Sequence, residues 1–186
     1  MDKLYFEGIR LGKVLEDTRL VEPVFRDADI VGFDMKCLSW EAIADPLKGQ
    51  PNGIDSRSIC TLSRYAGISD RVGFMGLYEL PSTPMMNQLA AQMVWYFIEG
   101  VQYRFDEYPV NTNEGFLKYS VTLSNQTIIF QKSEKSNRWW MELTNDTYLD
   151  NKTKTSALLA CTKNDYDSAS QDIIPERWYN AIRRMS

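Results

Sequence analysis

Ile30-Val31-Gly32-Phe33-Asp34-Met35-Lys36 is the stretch on which the fold turns. It is an apolar run ending in an acid, the form in which an α/β protein delivers a carboxylate to a site from a strand end. Ala28 to Met35 shows no polar alternation, which predicts a strand in a parallel sheet covered on both faces. Residues two apart on a strand point the same way, so Asp34 and Lys36 are expected on one face. Two Asp residues there could hold a divalent cation between oxygen ligands. Lys36 instead puts an ammonium beside the Asp34 carboxylate, replacing a metal's charge rather than binding a metal.

Working outward, Leu4, Ile9, Leu11 and Val14-Leu15 recur at helical spacing and predict a surface helix over 2–17, broken at Glu22-Pro23. Asp45-Pro46 through Pro51-Asn52-Gly53 reads as a loop. Asp55 or Ser56 then caps a helix running to Tyr65, with Gly67 as its C-cap. Val72 to Tyr78 is a second buried strand, closed by Glu79-Leu80-Pro81. The apolar stripe from Met85 to Phe105 predicts a long helix whose Met and aromatic residues fill the core.

After Pro109 the pattern changes. Leu117–Thr122, Thr127–Phe130 and Arg138–Glu142 read as a three-stranded antiparallel meander with polar turns. Asn145 to Thr155 reads as a loop. Short helices follow over 165–169 and 175–184, with Pro175 suited to a first helical position. Trp139, Trp140 and Trp178 are expected to lock the meander onto these helices through burial rather than to stack on sugars.

Composition narrows the function classes. The 186 residues are 44% hydrophobic and 25% charged, enough for a folded core. A net charge of −4 argues against a general nucleic-acid binder. Arg177, Arg183 and Arg184 read as cations at a helix C-terminus. There is no histidine, which removes the usual Cys/His zinc site and the Ser-His or Cys-His nucleophile. The three cysteines, Cys37, Cys60 and Cys161, form no CxxC pair and suit reduced thiols in a cytoplasmic protein. Met1-Asp2-Lys3 leads into an amphipathic segment rather than a signal core, so the sequons at Asn125, Asn145 and Asn151 read as chance matches. No membrane association is expected.

Several segments together carry a resemblance. They are Arg26-Asp27-Ala28-Asp29, Phe33-Asp34-Met35, Pro51-Asn52-Gly53, Arg64-Tyr65-Ala66-Gly67-Ile68-Ser69-Asp70 and Gly76-Leu77-Tyr78-Glu79. Leu89 to Phe97 continues the series, as do Lys132-Ser133, Arg138-Trp139-Trp140-Met141-Glu142 and Ile174-Pro175-Glu176-Arg177-Trp178. Taken together the chain resembles the arginase (ureohydrolase) superfamily, most of all its formimidoylglutamase-like branch. The resemblance implies an α/β fold: part of a three-layer α/β/α parallel sheet of the arginase type, with a C-terminal antiparallel meander and short helices. Residues 1–108 would be the C-terminal part of the arginase-like domain, and 109–186 an extension packed on the same domain.

The implied chemistry is hydrolysis of C–N bonds in linear amidines, with a pair of manganese ions supplying the attacking hydroxide and charge stabilisation. Asp34 matches the first Asp of the family's late Asp-x-Asp metal motif, and Lys36 stands where the second would be. Glu79 matches the carboxylate that pairs with the cationic end of the substrate. The family's Gly-Gly-Asp-His and Asp-Ala-His-x-Asp motifs have no counterpart here. The chain therefore resembles the C-terminal half of such a hydrolase and is expected to be inactive alone. The competing expectation is a noncatalytic relative acting as an assembly or interaction module. Expected partners are a small amidine or guanidino substrate for a completed site, and another copy or an N-terminal half to cover a truncated sheet.

Overall fold

A computed structural model describes residues 7–43, 49–107, 115–124, 126–143 and 157–185. The sequons at Asn125, Asn145 and Asn151, the expected loop over 145–155, Asp45-Pro46, Pro109 and the start of the first expected helix lie outside them. The chain is mixed α/β and divides into two compact units. One is Ile9–Asp106; the other comprises the described residues of Met1–Gly8 and Glu107–Ser186.

In the first unit, α1 (Leu11–Glu16) is followed by a 3₁₀ turn over Thr18–Val21 and by α2 (Glu22–Arg26). Glu22-Pro23 thus opens a helix rather than breaking one. The missing N–H of proline costs nothing in a first turn, where that donor has no intrahelical partner. Strand β1 (Ile30–Asp34) pairs in parallel with β2 (Phe74–Tyr78), Ile30 opposite Phe74 and Asp34 opposite Tyr78. Between them lie α3 (Trp40–Ile43) and α4 (Ser56–Ile68), and α5 (Pro84–Gln102) follows β2.

The expectation of a sheet covered on both faces is corrected. Val31 and Phe33 are buried, whereas Ile30 is 68% exposed and Phe74 55%. The strand alternates after all, because the small residue Gly32 falls on the open face between Ile30 and Asp34. The Tyr78 ring lies across that face: a Cβ on Gly32 or on Gly76 would come within 2.9 Å of it.

Asp55 caps α4 by accepting from the Arg57 and Ser58 backbone N–H groups, both at 2.9 Å. Gly67 does not end this helix. It lies inside α4, where a Cβ would meet the Phe97 carbonyl oxygen at 2.1 Å; one on Gly100 would meet the Arg64 carbonyl oxygen at 2.5 Å. The two glycines let α4 and α5 cross almost backbone to backbone. Arg104 fixes the far end by donating to the carbonyls of Gly67 and Val72, while Asp70 accepts from the N–H groups of Phe105 and Asp106. The core beneath includes Met35, Leu38, Ile59, Leu62, Met86 and Met93.

The second unit is a four-stranded antiparallel sheet in sequential order: β3 (Phe116–Leu123), β4 (Gln126–Ser133), β5 (Trp139–Leu143) and β6 (Ala157–Cys161). The meander is as expected, with one strand more; the apolar Ala157–Cys161 adds the fourth. Helices α6 (Lys163–Ala169) and α7 (Glu176–Met185) follow. Thr162 and Asp165 form a reciprocal capping box at the start of α6. Trp139 stacks on Tyr166 with ring centroids 4.9 Å apart, and the Trp178 indole N–H donates to the Glu142 carbonyl at 3.2 Å. Arg183 and Arg184 do occupy the last turn of α7, but Arg177 lies in its first turn and pairs with Glu7 at 2.8 Å.

Candidate functional site

The candidate site forms where β1 and β2 end side by side, the place at which a parallel sheet presents its ligands. Two chain reversals shape it. After Asp34 the chain turns at once into a 3₁₀ turn, Met35–Cys37, capped by the Asp34 carboxylate accepting from the Lys36 backbone N–H at 3.0 Å. After Tyr78 the backbone enters the left-handed region at Glu79, with φ of 54°. A side chain with a Cβ adopts that conformation at a cost of about 1–3 kcal/mol, and such residues concentrate at functional sites.

These reversals correct the expected arrangement of Asp34 and Lys36. Lys36 has left the strand, so the period of two no longer relates the pair. Its ammonium reaches across to β2 and pairs with Glu79 Oε2 at 3.2 Å. Asp34 receives the Lys36 backbone N–H, and the Lys36 side chain serves Glu79. Both members of the ion pair are exposed, 64% and 58%, so its net worth is below about 1 kcal/mol and its partners can exchange.

A cavity of about 460 Å³ opens beside the pair, lined by Met35, Lys36, Ile43, Gln50, Glu79, Leu80 and Pro81. Its wall is set by two parallel backbone bridges, Leu38 to Ile54 and Ser39 to Gln50. The Gln50 N–H donates to the Leu38 carbonyl at 2.9 Å, and the Trp40 N–H to the Gln50 carbonyl at 3.1 Å. Gln50 and the left-handed conformation of Glu79 are the features that reading the sequence missed. The bridges join short irregular segments with no periodicity, and Glu79 is not one of the residue types that favour a positive φ.

The half-buried Cys37 thiol closes the turn; burial, reinforced by the negative charge of Asp34, pushes its pKa up. That makes it a poor nucleophile near neutral pH. Cys60 and Cys161 are buried, and all three cysteines are free thiols.

A two-manganese centre needs several hard oxygen or imidazole donors around each ion. Among the described residues no three His, Cys, Asp or Glu groups lie together in a metal-binding arrangement. Asp34 already accepts a backbone N–H, and the cation beside Glu79 is the chain's own ammonium. This donor set does not fit the manganese pair. It does suit an exchangeable cation: a carboxylate at the rim of a partly apolar cavity, able to receive two N–H groups from a planar donor. Among the described residues no helix is long and apolar enough to cross a membrane. Comparison of the chain with protein-family models, with characterised proteins and with solved structures gives no match.

Proposed function

We propose that this chain is the C-terminal portion of an arginase/agmatinase/formimidoylglutamase-like hydrolase of linear amidines, with its parallel strands part of a three-layer α/β/α sandwich. In this reading the polypeptide alone binds the planar cationic end of such a substrate without hydrolysing it. The supporting observation is Glu79, a left-handed residue at the carboxyl end of β2 whose carboxylate holds a cation at the cavity rim.

An incoming amidinium or guanidinium would displace the Lys36 ammonium and keep the site's charge balanced. A planar fork offers two parallel N–H groups to one carboxylate, where an ammonium offers a point charge. Met35, Ile43 and Leu80 would receive the aliphatic part of the ligand. No hydrolytic step is assigned to these residues, because nothing in the described donor set activates water.

Titration of the chain with agmatine, followed by backbone amide NMR shifts, tests the reading. Saturable shifts centred on Glu79, Leu80 and Gln50, lost in Glu79→Gln, are expected. Shifts unchanged in that variant would overturn it. A second reading, a noncatalytic ureohydrolase relative acting as an assembly module, is favoured by Lys36 already neutralising Glu79. A flat titration of the wild-type chain would favour this second reading.

A further inference from the structure

Asn52-Gly53 is the only Asn-Gly pair in the sequence, and the fold dictates its second member. Gly53 runs against the backbone where Leu38 joins Ser39. A Cβ there would collide with the Leu38 carbonyl carbon and the Ser39 nitrogen, so the position takes only glycine. Pro51 and Asn52 form the turn that leads into it, and Asn52 is exposed. Its carboxamide makes no hydrogen bond among the described residues. The turn is clamped on both sides. Gln50 donates to the Leu38 carbonyl at 2.9 Å and accepts from the Trp40 N–H at 3.1 Å. Ile54 donates to the Cys37 carbonyl at 2.9 Å and accepts from the Ser39 N–H at 3.0 Å.

We propose that Asn52 is a site of spontaneous deamidation in the folded chain, and that its isoaspartate product unclamps the wall of the cavity beside Glu79. The Gly53 backbone nitrogen, having lost its proton to hydroxide, attacks the Asn52 side-chain carbonyl carbon. The N–Cγ bond forms, the Cγ–Nδ2 bond breaks, and the amide nitrogen leaves as ammonia with a proton from solvent. Glycine favours this step because it has no Cβ to hinder ring closure. Water then opens the succinimide. Breaking the bond from nitrogen to Cγ gives aspartate, and breaking the bond from nitrogen to the main-chain carbonyl carbon gives isoaspartate. In sum one amide and one water become one carboxylate and one ammonium, with nothing oxidised or reduced. Solvent supplies every co-reactant.

The isoaspartate is the product that acts on the clamp. Its main chain runs through Cβ and Cγ, which lengthens it by one bond, about 1.5 Å. Pro51, Asn52 and Gly53 span the whole distance from Gln50 to Ile54, with Gly53 already against the opposing backbone. The added length therefore shifts Gln50 or Ile54 out of its bridge, as an extra residue disrupts a ladder at a bulge. Gln50 lines the cavity, so the wall changes with it. The fold thus demands the glycine that makes its neighbour labile.

The full chain, kept folded in mildly alkaline buffer and sampled over time, tests this by peptide mapping after digestion at low pH. Isoaspartate is counted with a protein isoaspartate methyltransferase. Asn137, exposed on the β4–β5 connection but followed by arginine, is the internal control. A gain of one mass unit at Asn52, with none at Asn137 and none in Asn52→Gln, is expected. In the isoaspartate form, isolated by anion exchange, the Gln50 and Ile54 amides should lose hydrogen-exchange protection while those of α4 keep it. Asn52→Asp, which adds the charge without the extra bond, should stay protected at both amides. An Asn52 that reacts no faster than Asn137 overturns the inference. An isoaspartate form still protected at Gln50 and Ile54, or an Asn52→Asp chain that loses protection, overturns the unclamping.

Discussion

The Lys36 ammonium lies 3.2 Å from the Glu79 carboxylate, joining the ends of two parallel strands with a charge pair supplied wholly by the chain. The partner of Lys36 is decided by the backbone. The 3₁₀ turn that Asp34 caps rotates Lys36 off the strand, and the left-handed Glu79 brings its carboxylate to meet it. A residue held this way for stability alone would be replaced by glycine at little loss. Glutamate there bears a conformational cost that glycine would not, and its carboxylate is the group that meets the cation.

Glu79→Gly therefore makes a direct prediction. Glycine adopts positive φ freely, so the variant should be as stable as the wild type or up to about 1 kcal/mol more stable, the exposed ion pair being worth less than the strain relieved. Urea denaturation reads this. A loss above about 1 kcal/mol would mark Glu79 as a structural residue.

Asp55 sets an acid limit on the first unit. Burial raises its pKa, but the Ser58 hydroxyl and the backbone N–H groups of Ser58 and Arg57 outweigh burial and hold the carboxyl below its usual range. A depressed folded-state pKa contributes stability that is present above the unfolded pKa and lost as pH falls through the folded one. Between about pH 5 and about pH 2 the wild type should lose more stability than Asp55→Asn. At neutral pH Asp55→Ala should cost about 1 kcal/mol, as for other N-cap deletions.

The α4–α5 crossing tolerates no side chain at its contact. Gly67→Ala and Gly100→Ala are each expected to destabilise by about 2 kcal/mol, overpacking outweighing the gain of about 1 kcal/mol in helix propensity. Because both glycines serve one crossing, the double variant should cost less than the sum. Thermal or urea unfolding of the three chains measures it, and a stabilised single variant would contradict the crossing.

In the second unit, Trp178→Phe should cost about 1–2 kcal/mol, keeping most of the buried ring but leaving the Glu142 carbonyl without its indole donor. Trp178→Ala should cost about 3–5 kcal/mol through the cavity left against the sheet. Near-ultraviolet circular dichroism should lose intensity with the alanine variant and keep it with phenylalanine.

Local pattern made much of this architecture legible. Strand β1, the long α5, the meander and the Asp55 cap follow from apolar period, turn residues and capping chemistry within a few positions of each other. What the sequence concealed depends on distant partners. Gly67 looks like a helix stop because glycine usually is one, and only the facing Gly100 shows it to be a contact. All of α5's apolar residues read as core, yet Val94, Trp95, Ile98 and Val101 are exposed, because hydropathy cannot say how many of a helix's sides are covered. At the strand ends, the period of two puts Lys36 on the face of Asp34, whereas its ammonium pairs with Glu79. A single turn of 3₁₀ helix changes the direction of Lys36, and no periodic signal announces a turn so short.

Calorimetric titration with agmatine, comparing wild type with Lys36→Met, tests the central claim that Lys36 holds the place of a planar cation on Glu79. Removing the internal competitor should tighten binding about three- to tenfold, since an exposed pair of this kind is worth up to about 1 kcal/mol and its positive charge also repels the ligand. Equal or weaker binding to Lys36→Met would contradict the account.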